Sequence, residues 1–68
     1  MIDRKIIAER LHDLRIEANE SREQVAVAIG VTAQAISNYE IGIRVPSDDL
    51  KCKLADHYNR TVQSIFYD

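Results

Sequence analysis

The sequence has few of the residues that mark secreted, membrane-spanning or disulfide-rich proteins. Its 68 residues include one cysteine, one proline, two glycines and no tryptophan. The single cysteine, Cys52, cannot form an internal disulfide, which fits a protein of the reducing cytoplasm. No apolar run approaches the roughly 20 residues of a membrane-spanning helix, and no charged-then-apolar leader is present. We therefore expect a cytoplasmic protein that neither contacts a membrane nor is secreted.

Patterns of catalytic or metal-binding residues are also missing. His12 and His57 have no cysteine or carboxylate at ligand spacing, so we interpret both as surface histidines. No histidine is placed to activate Cys52 as a nucleophile, and we expect a small, partly buried helix residue there. The sequence predicts no enzymatic activity, no metal and no cofactor.

Positive charge is scarce as well. Nine lysines and arginines stand against eleven acidic residues, which gives a formal net charge of −2. This balance argues against nucleic acid as a partner, because nucleic-acid-binding domains are usually basic. The distribution weakens that objection, since Glu9, Asp13 and Glu17 are spaced four apart and form one acidic stripe on a helix.

Short apolar stripes that alternate with capping residues predict five helices and no strand. Apolar residues recur at intervals of four, three and four over residues 7–18, which is typical of the buried face of a first helix. Ser47 follows the helix-breaking Pro46 and caps a fourth helix, and Thr61 caps a fifth. The predicted fold class is all-α, a compact five-helix bundle that forms a single domain over residues 1–68.

Residues 21–41 predict two short helices joined by a glycine. Ser21 and Gln24 match the capping box that starts a helix. Gly30 supplies the left-handed residue that ends this helix, and Thr32 is the N-cap of the next one. A capped helix of about two turns, a glycine and a second capped helix form a helix-turn-helix pattern.

The same segment carries a family resemblance. Ala26 lies where two helices pack closely, Gly30 occupies the turn, and Ile36 anchors the following helix. With these residues, nearly the whole chain resembles the Xre family of phage-repressor and Cro-like DNA-binding domains. The resemblance implies a bundle of the phage-repressor type, in which helices 2 and 3 form the helix-turn-helix.

The resemblance also implies a binding surface for double-stranded DNA, with the start of helix 3 in the major groove. Glutamine or asparagine can pair doubly with adenine there, and alanine can contact the thymine methyl group. The predicted base-reading residues are Ala33, Gln34, Ser37 and Asn38. The predicted phosphate-binding residues are Ser21, Arg22, Thr32 and Arg44. The alternative interpretation is a solvated helix face with ordinary surface arginines.

Two further features concern the corners of the bundle. The family pairs an arginine late in helix 1 with a glutamate at the end of helix 3, which implies a partly buried structural ion pair between Arg15 and Glu40. Glu20 stands where the family usually has an apolar residue. We therefore expect the corner between helices 1 and 2 to be loosely held.

Apolar residues in the loop after helix 3 and near the end of the chain leave two interpretations open. They contact a second protomer, or they fold back onto the core. The candidate dimer interface consists of Ile41, Ile43, Val45, Val62, Ile65, Phe66 and Tyr67.

The function that the sequence predicts is a dimeric transcriptional repressor of bacterial or phage type that binds a palindromic operator. Two alternatives stay open. One is a protein-interaction module on a helix-turn-helix scaffold, and the other is the DNA-binding antitoxin of a toxin pair. The corresponding protein partner would be an antirepressor or a toxin.

Overall fold

Five α-helices and no strand make up the computed structural model, which describes residues 2–68. The predicted all-α bundle is therefore confirmed for these residues, and residue 1 of the predicted domain lies outside them. None of the helices in the described part is long and apolar enough to cross a membrane. In chain order the helices are α1 (Arg4–Glu17), α2 (Arg22–Ile29), α3 (Ala33–Ile41), α4 (Asp48–His57) and α5 (Val62–Phe66).

Side-chain caps set where each helix begins. The side chain before each helix accepts a hydrogen bond from a backbone amide of the first turn, which satisfies a donor that the helix leaves unpaired. Gly30 and Gly42 end α2 and α3 in the left-handed conformation, with φ of 78° and 84°. The five N-cap residues are Asp3, Ser21, Thr32, Ser47 and Thr61.

Residues from all five helices build one core. α1 packs on α3 and α5, while α2 packs on α3 and α4. Ala18, expected on the buried face of α1, is exposed because it is the C-cap beyond the last helical residue. The buried core residues are Ile7, Leu11, Val25, Ala26, Ile29, Ile36, Tyr39, Leu54, Ala55, Tyr58, Ile65 and Phe66.

The buried face of α4 contains a lysine that the sequence did not single out. Lys51 Nζ donates to Tyr67 Oη at 3.1 Å and lies 3.5 Å from the Asp48 carboxylate. The hydrogen bond to Tyr67 is the main cause that raises the pKa of Lys51. The face runs through Lys51, Leu54 and Ala55, so Cys52 lies off it and is exposed, contrary to expectation.

Polar contacts also join helices that are distant in sequence. Arg10 on α1 reaches the end of α5, where its guanidinium satisfies carbonyls that the short helix leaves unpaired. The acceptors are the backbone oxygens of Ser64, Ile65 and Asp68, at 2.8, 3.2 and 2.8 Å.

The corner between α1 and α2 is held by polar contacts, so the expectation of a loose corner is wrong. Glu20 is half-buried, and its Oε1 lies 2.7 Å from His57 Nε2 on α4. Arg15 Nη1 donates to the Glu20 carbonyl at 2.9 Å. His57 is consequently half-buried rather than a surface histidine. A polar contact thus lies where the family resemblance implied an apolar one.

Candidate nucleic-acid interface

The predicted base-reading residues lie on one side of α3, since helical residues three and four apart share a face. Gln34 is exposed, whereas Ala33, Ser37 and Asn38 are half-buried. Gln34 Nε2 donates to Asn38 Oδ1 at 3.0 Å. Gln34 and Asn38, both predicted to contact DNA, are therefore also hydrogen-bonded to each other.

This hydrogen bond leaves the groups needed for adenine recognition available. A glutamine amide has two N–H donors and one carbonyl acceptor, and only one donor of Gln34 is used. The remaining N–H and Oε1 are the pair that matches adenine N7 and N6. Asn38 keeps both amide donors. The contact thus fixes the Gln34 rotamer at little cost to its recognition chemistry.

The start of α2 presents free backbone donors. The capping box takes the amides of Ser21 and Gln24, which bond to Gln24 Oε1 at 2.7 Å and Ser21 Oγ at 3.1 Å. Within residues 2–68, the amides of Arg22 and Glu23 have no such partner. Together with the positive end of the helix, they can bind a phosphate oxygen. The Glu23 carboxylate lies in the same turn and opposes an anion there.

Both predicted hydroxyl contacts serve as N-caps. Ser21 Oγ accepts from the Gln24 amide, and Thr32 Oγ1 accepts from the Ala35 amide at 3.1 Å. A hydroxyl that accepts still carries its own O–H donor. Capping and phosphate binding are therefore compatible at Ser21 and Thr32.

Arg15 and Glu40 meet in a buried ion pair. Arg15 Nε donates to Glu40 Oε2 at 2.8 Å, and Arg15 Nη2 donates to Oε1 at 3.1 Å. Both residues are buried, and the hydrogen bond to Glu40 raises the pKa of Arg15. Tyr58 lies near this pair, and its burial raises the pKa of its hydroxyl. The arrangement joins α1 to the end of α3.

Arg22 joins the same carboxylate, which the sequence did not indicate. Its Nε lies 3.4 Å from Glu40 Oε1, and the side chain as a whole is 41% exposed. That Nε is buried and makes no hydrogen bond in the described part of the chain. One edge of the guanidinium therefore lies against Glu40, and the side chain still reaches solvent at the start of α2.

Arg44 lies on the loop that follows α3. The amides of Gly42, Ile43 and Arg44 all donate to the Asn38 carbonyl, which folds this loop back against the helix. The Arg44 side chain is exposed and forms no ion pair with any described residue. Arg44 is therefore a cation without an ion-pair partner among the described residues, and its backbone is hydrogen-bonded to Asn38, a candidate base-reading residue.

The candidate dimer residues divide into two groups. Ile41 and Ile43 are each 58% exposed, which excludes the interpretation that they fold onto the core. Val45 and Val62 are half-buried, and Tyr67 is exposed. The prediction needs correction for the other two residues, because packing of α5 on α1 and α4 leaves them inaccessible to a second protomer. They are Ile65 and Phe66, which are 2% and 0% exposed.

The family comparison covers the elements just described. A family model described as "Helix-turn-helix domain" matches residues 6–64, which include α2, α3 and the loop after them. Comparisons with curated proteins and with solved structures give no match.

Proposed function

Because the chain belongs to the helix-turn-helix domain family, a family of DNA-binding domains, we propose that it is a sequence-specific transcriptional regulator of the Xre type. In this proposal it acts as a repressor and occupies a palindromic operator as a dimer. The observation that carries the proposal is Gln34, an exposed amide at the start of α3 that Asn38 holds by a hydrogen bond. Such a side chain is suited to bidentate recognition of adenine.

The phosphate contacts set the register of the reading helix. Free amides at the start of α2 and the Arg22 guanidinium bind the backbone on one side of the major groove, and Arg44 binds it on the other. Phosphate contacts position a protein on the duplex, whereas base contacts give specificity. With the backbone held at both ends of the helix-turn-helix, the start of α3 enters the groove and presents Gln34 to the base edges.

The low number of cationic contacts allows the salt dependence of binding to be calculated. Arg22 and Arg44 neutralise two phosphates per protomer and four per dimer. Each neutralised phosphate contributes about −0.9 to the slope of log affinity against log salt, so these residues alone give a slope near −4. Affinity then depends strongly on dimerisation and on neutral donors such as the α2 amides.

The test is a selection from random duplex DNA with the purified protein, followed by affinity measurements on the recovered sequence and a scrambled control. The expected result is a palindrome whose half-sites lie about one helical turn apart. Gln34→Ala should lose the preference for that sequence. Gln63→Ala removes a similarly exposed glutamine from α5 and should leave the preference intact. Recovery of no sequence above background at low salt would contradict the proposal.

A second candidate function is favoured by the exposed Ile41 and Ile43 together with the net charge of −2. It is a protein-interaction module, or an antitoxin whose toxin covers the apolar loop; an antirepressor would bind in the same way. Retention on heparin at low salt supports DNA binding. A stable complex with the purified product of a neighbouring gene, lost when Ile43 is replaced by a polar residue, supports the alternative.

A further inference from the structure

The basic side chains divide sharply by their partners. Five of the nine form ion pairs with carboxylates, and Arg10 donates to carbonyls at the end of α5. Within residues 2–68, the other three contact no carboxylate. They are Arg4, Lys5 and Arg44, and all three are exposed.

Arg4 contacts the loop that carries Arg44, although 40 positions separate the two arginines in sequence. Its Nη1 donates to the carbonyl of Ile43, the residue before Arg44, at 3.2 Å. The Arg4 backbone also lies against Gly42, at the end of α3. The same loop is folded onto α3 through the Asn38 carbonyl. These contacts bring the first turn of α1 to the loop that carries one of the candidate phosphate contacts.

Arg4 and Arg44 thus place two cations without a carboxylate partner, among residues 2–68, at the same loop. The two positive charges repel each other, and a bound anion offsets this repulsion because it attracts both of them. Arg4 uses one of its five N–H donors on Ile43, so the remaining donors are available to a phosphate oxygen. The tether also restricts the arginine before binding, which lowers the entropy lost when it binds.

We propose that Arg4 is a DNA contact outside the helix-turn-helix, which binds the backbone phosphate next to the one bound by Arg44. The inference rests on the proposed function, because it adds a residue to the same interface. It increases the cationic contacts from two to three per protomer. Six neutralised phosphates per dimer give a salt slope of about −5.4, compared with about −3.6 for the four contacts without Arg4.

The experiment measures the salt slope with the duplex recovered by the selection, by fluorescence anisotropy between about 50 and 200 mM salt. Arg4→Gln should reduce the slope by nearly two units for the dimer and weaken binding at low salt. Lys5→Gln is the matched control. It removes the same positive charge from the adjacent residue, whose side chain does not contact the loop. Arg4→Lys should retain most of the slope, since it keeps the charge.

The outcomes distinguish this inference from the function on which it rests. If the unmodified protein binds no duplex, the proposed function fails and the Arg4 contact fails with it. If the protein binds and Arg4→Gln keeps the full slope, only the Arg4 contact is overturned. Equal losses for Arg4→Gln and Lys5→Gln would show a general effect of net charge and would also overturn it. Unchanged melting temperatures for both variants show that the comparison concerns folded protein.

Discussion

Arg22 belongs both to the folded structure and to the proposed interface. Its Nε lies against Glu40, which Arg15 already holds from the other side, and 41% of the side chain is exposed. A buried N–H without a hydrogen bond costs stability. The contact therefore contributes less to stability than to the orientation of the guanidinium. In the proposed interface, the remaining donors of Arg22 bind a phosphate at the start of α2.

Lysine at position 22 should not restore the DNA-binding function of Arg22, although it keeps the positive charge. A lysine has no planar fork that contacts Glu40 and a phosphate at once. We expect Arg22→Lys and Arg22→Met to weaken binding to the selected duplex by similar factors of about tenfold, since a charge-assisted hydrogen bond contributes about 1.5–3 kcal/mol. The measurement is a binding titration at fixed salt.

Arg44→Lys is the control for the Arg22 variants, because Arg44 is exposed and has no carboxylate to orient it. This variant should bind nearly as well as the unmodified protein. Arg22→Met should melt close to the unmodified temperature, since it keeps the apolar stem and removes the unpaired N–H. Full activity of Arg22→Lys would show that Arg22 acts only as a charge.

At the scale of the helices, a polar contact joins the α1–α2 corner to the last residue of α4. Glu20 Oε1 and His57 Nε2 lie 2.7 Å apart, with side chains 26% and 19% exposed. The corner immediately precedes Ser21, so its position also sets where α2 begins. Loss of this contact should therefore loosen the end of the helix-turn-helix that carries the proposed phosphate contacts.

A double-mutant cycle with Glu20→Ala and His57→Ala measures this contact. We expect a coupling free energy of about 0.5–1 kcal/mol in urea unfolding, at the upper end for pairs near the surface because both groups are half-buried. The control pair is Asp49 and Lys53 on α4, at 3.6 Å and more exposed. Its coupling should be about 0.3–0.5 kcal/mol. A Glu20–His57 coupling no larger than this would mean that the corner is held by other contacts.

The helices were predictable because local rules fix them. Ser21, Thr32 and Gly30 determine where α2 and α3 begin and end, and each acts on amides or dihedrals within a few residues. The contact between Gln34 and Asn38 belongs to the same class, because residues four apart on a helix are neighbours. It could have been anticipated from the sequence.

Contacts between distant residues were not predictable from the sequence. Arg10 with the end of α5 and Glu20 with His57 join residues 37 to 58 positions apart. These contacts depend on how the helices pack against one another. The apolar periodicity of one helix does not show which residues of another helix its polar side chains contact. Phe66 was mistaken for an interface residue for this reason. A helix as short as α5 does not reveal from its own pattern which side faces the core.

At the scale of the whole molecule, charge and exposed apolar surface lead to the same expectation. A protomer with a net charge of −2 gains little from long-range attraction to DNA. Three exposed arginines at most contact the backbone of each half-site. In the proposed function, an operator is therefore occupied by two protomers bound together, which couples their few contacts. Ile41, the last residue of α3, and Ile43 on the following loop are exposed and are the apolar surface that we propose for that association.

Ile43→Asn tests this coupling. A neutral replacement leaves the charge of the neighbouring Arg44 unchanged, so a loss of affinity for the palindrome alone reports on association rather than on phosphate binding. We expect self-association in sedimentation to weaken and binding to the palindrome to fall by about tenfold, since burial of an isoleucine contributes about 1.5–3 kcal/mol. Binding to a duplex that carries a single half-site should be unchanged.

Val27→Asn is the matched control, because Val27 is 84% exposed but lies on α2, away from this loop. It should leave both association and palindrome binding intact. If Ile43→Asn weakens binding to the single half-site as strongly as to the palindrome, the loop contacts DNA rather than a second protomer. If neither variant affects association, the two protomers meet through a different surface. Val62 and Tyr67 would then be the next residues to replace, because they are the accessible members of the predicted interface near the end of the chain.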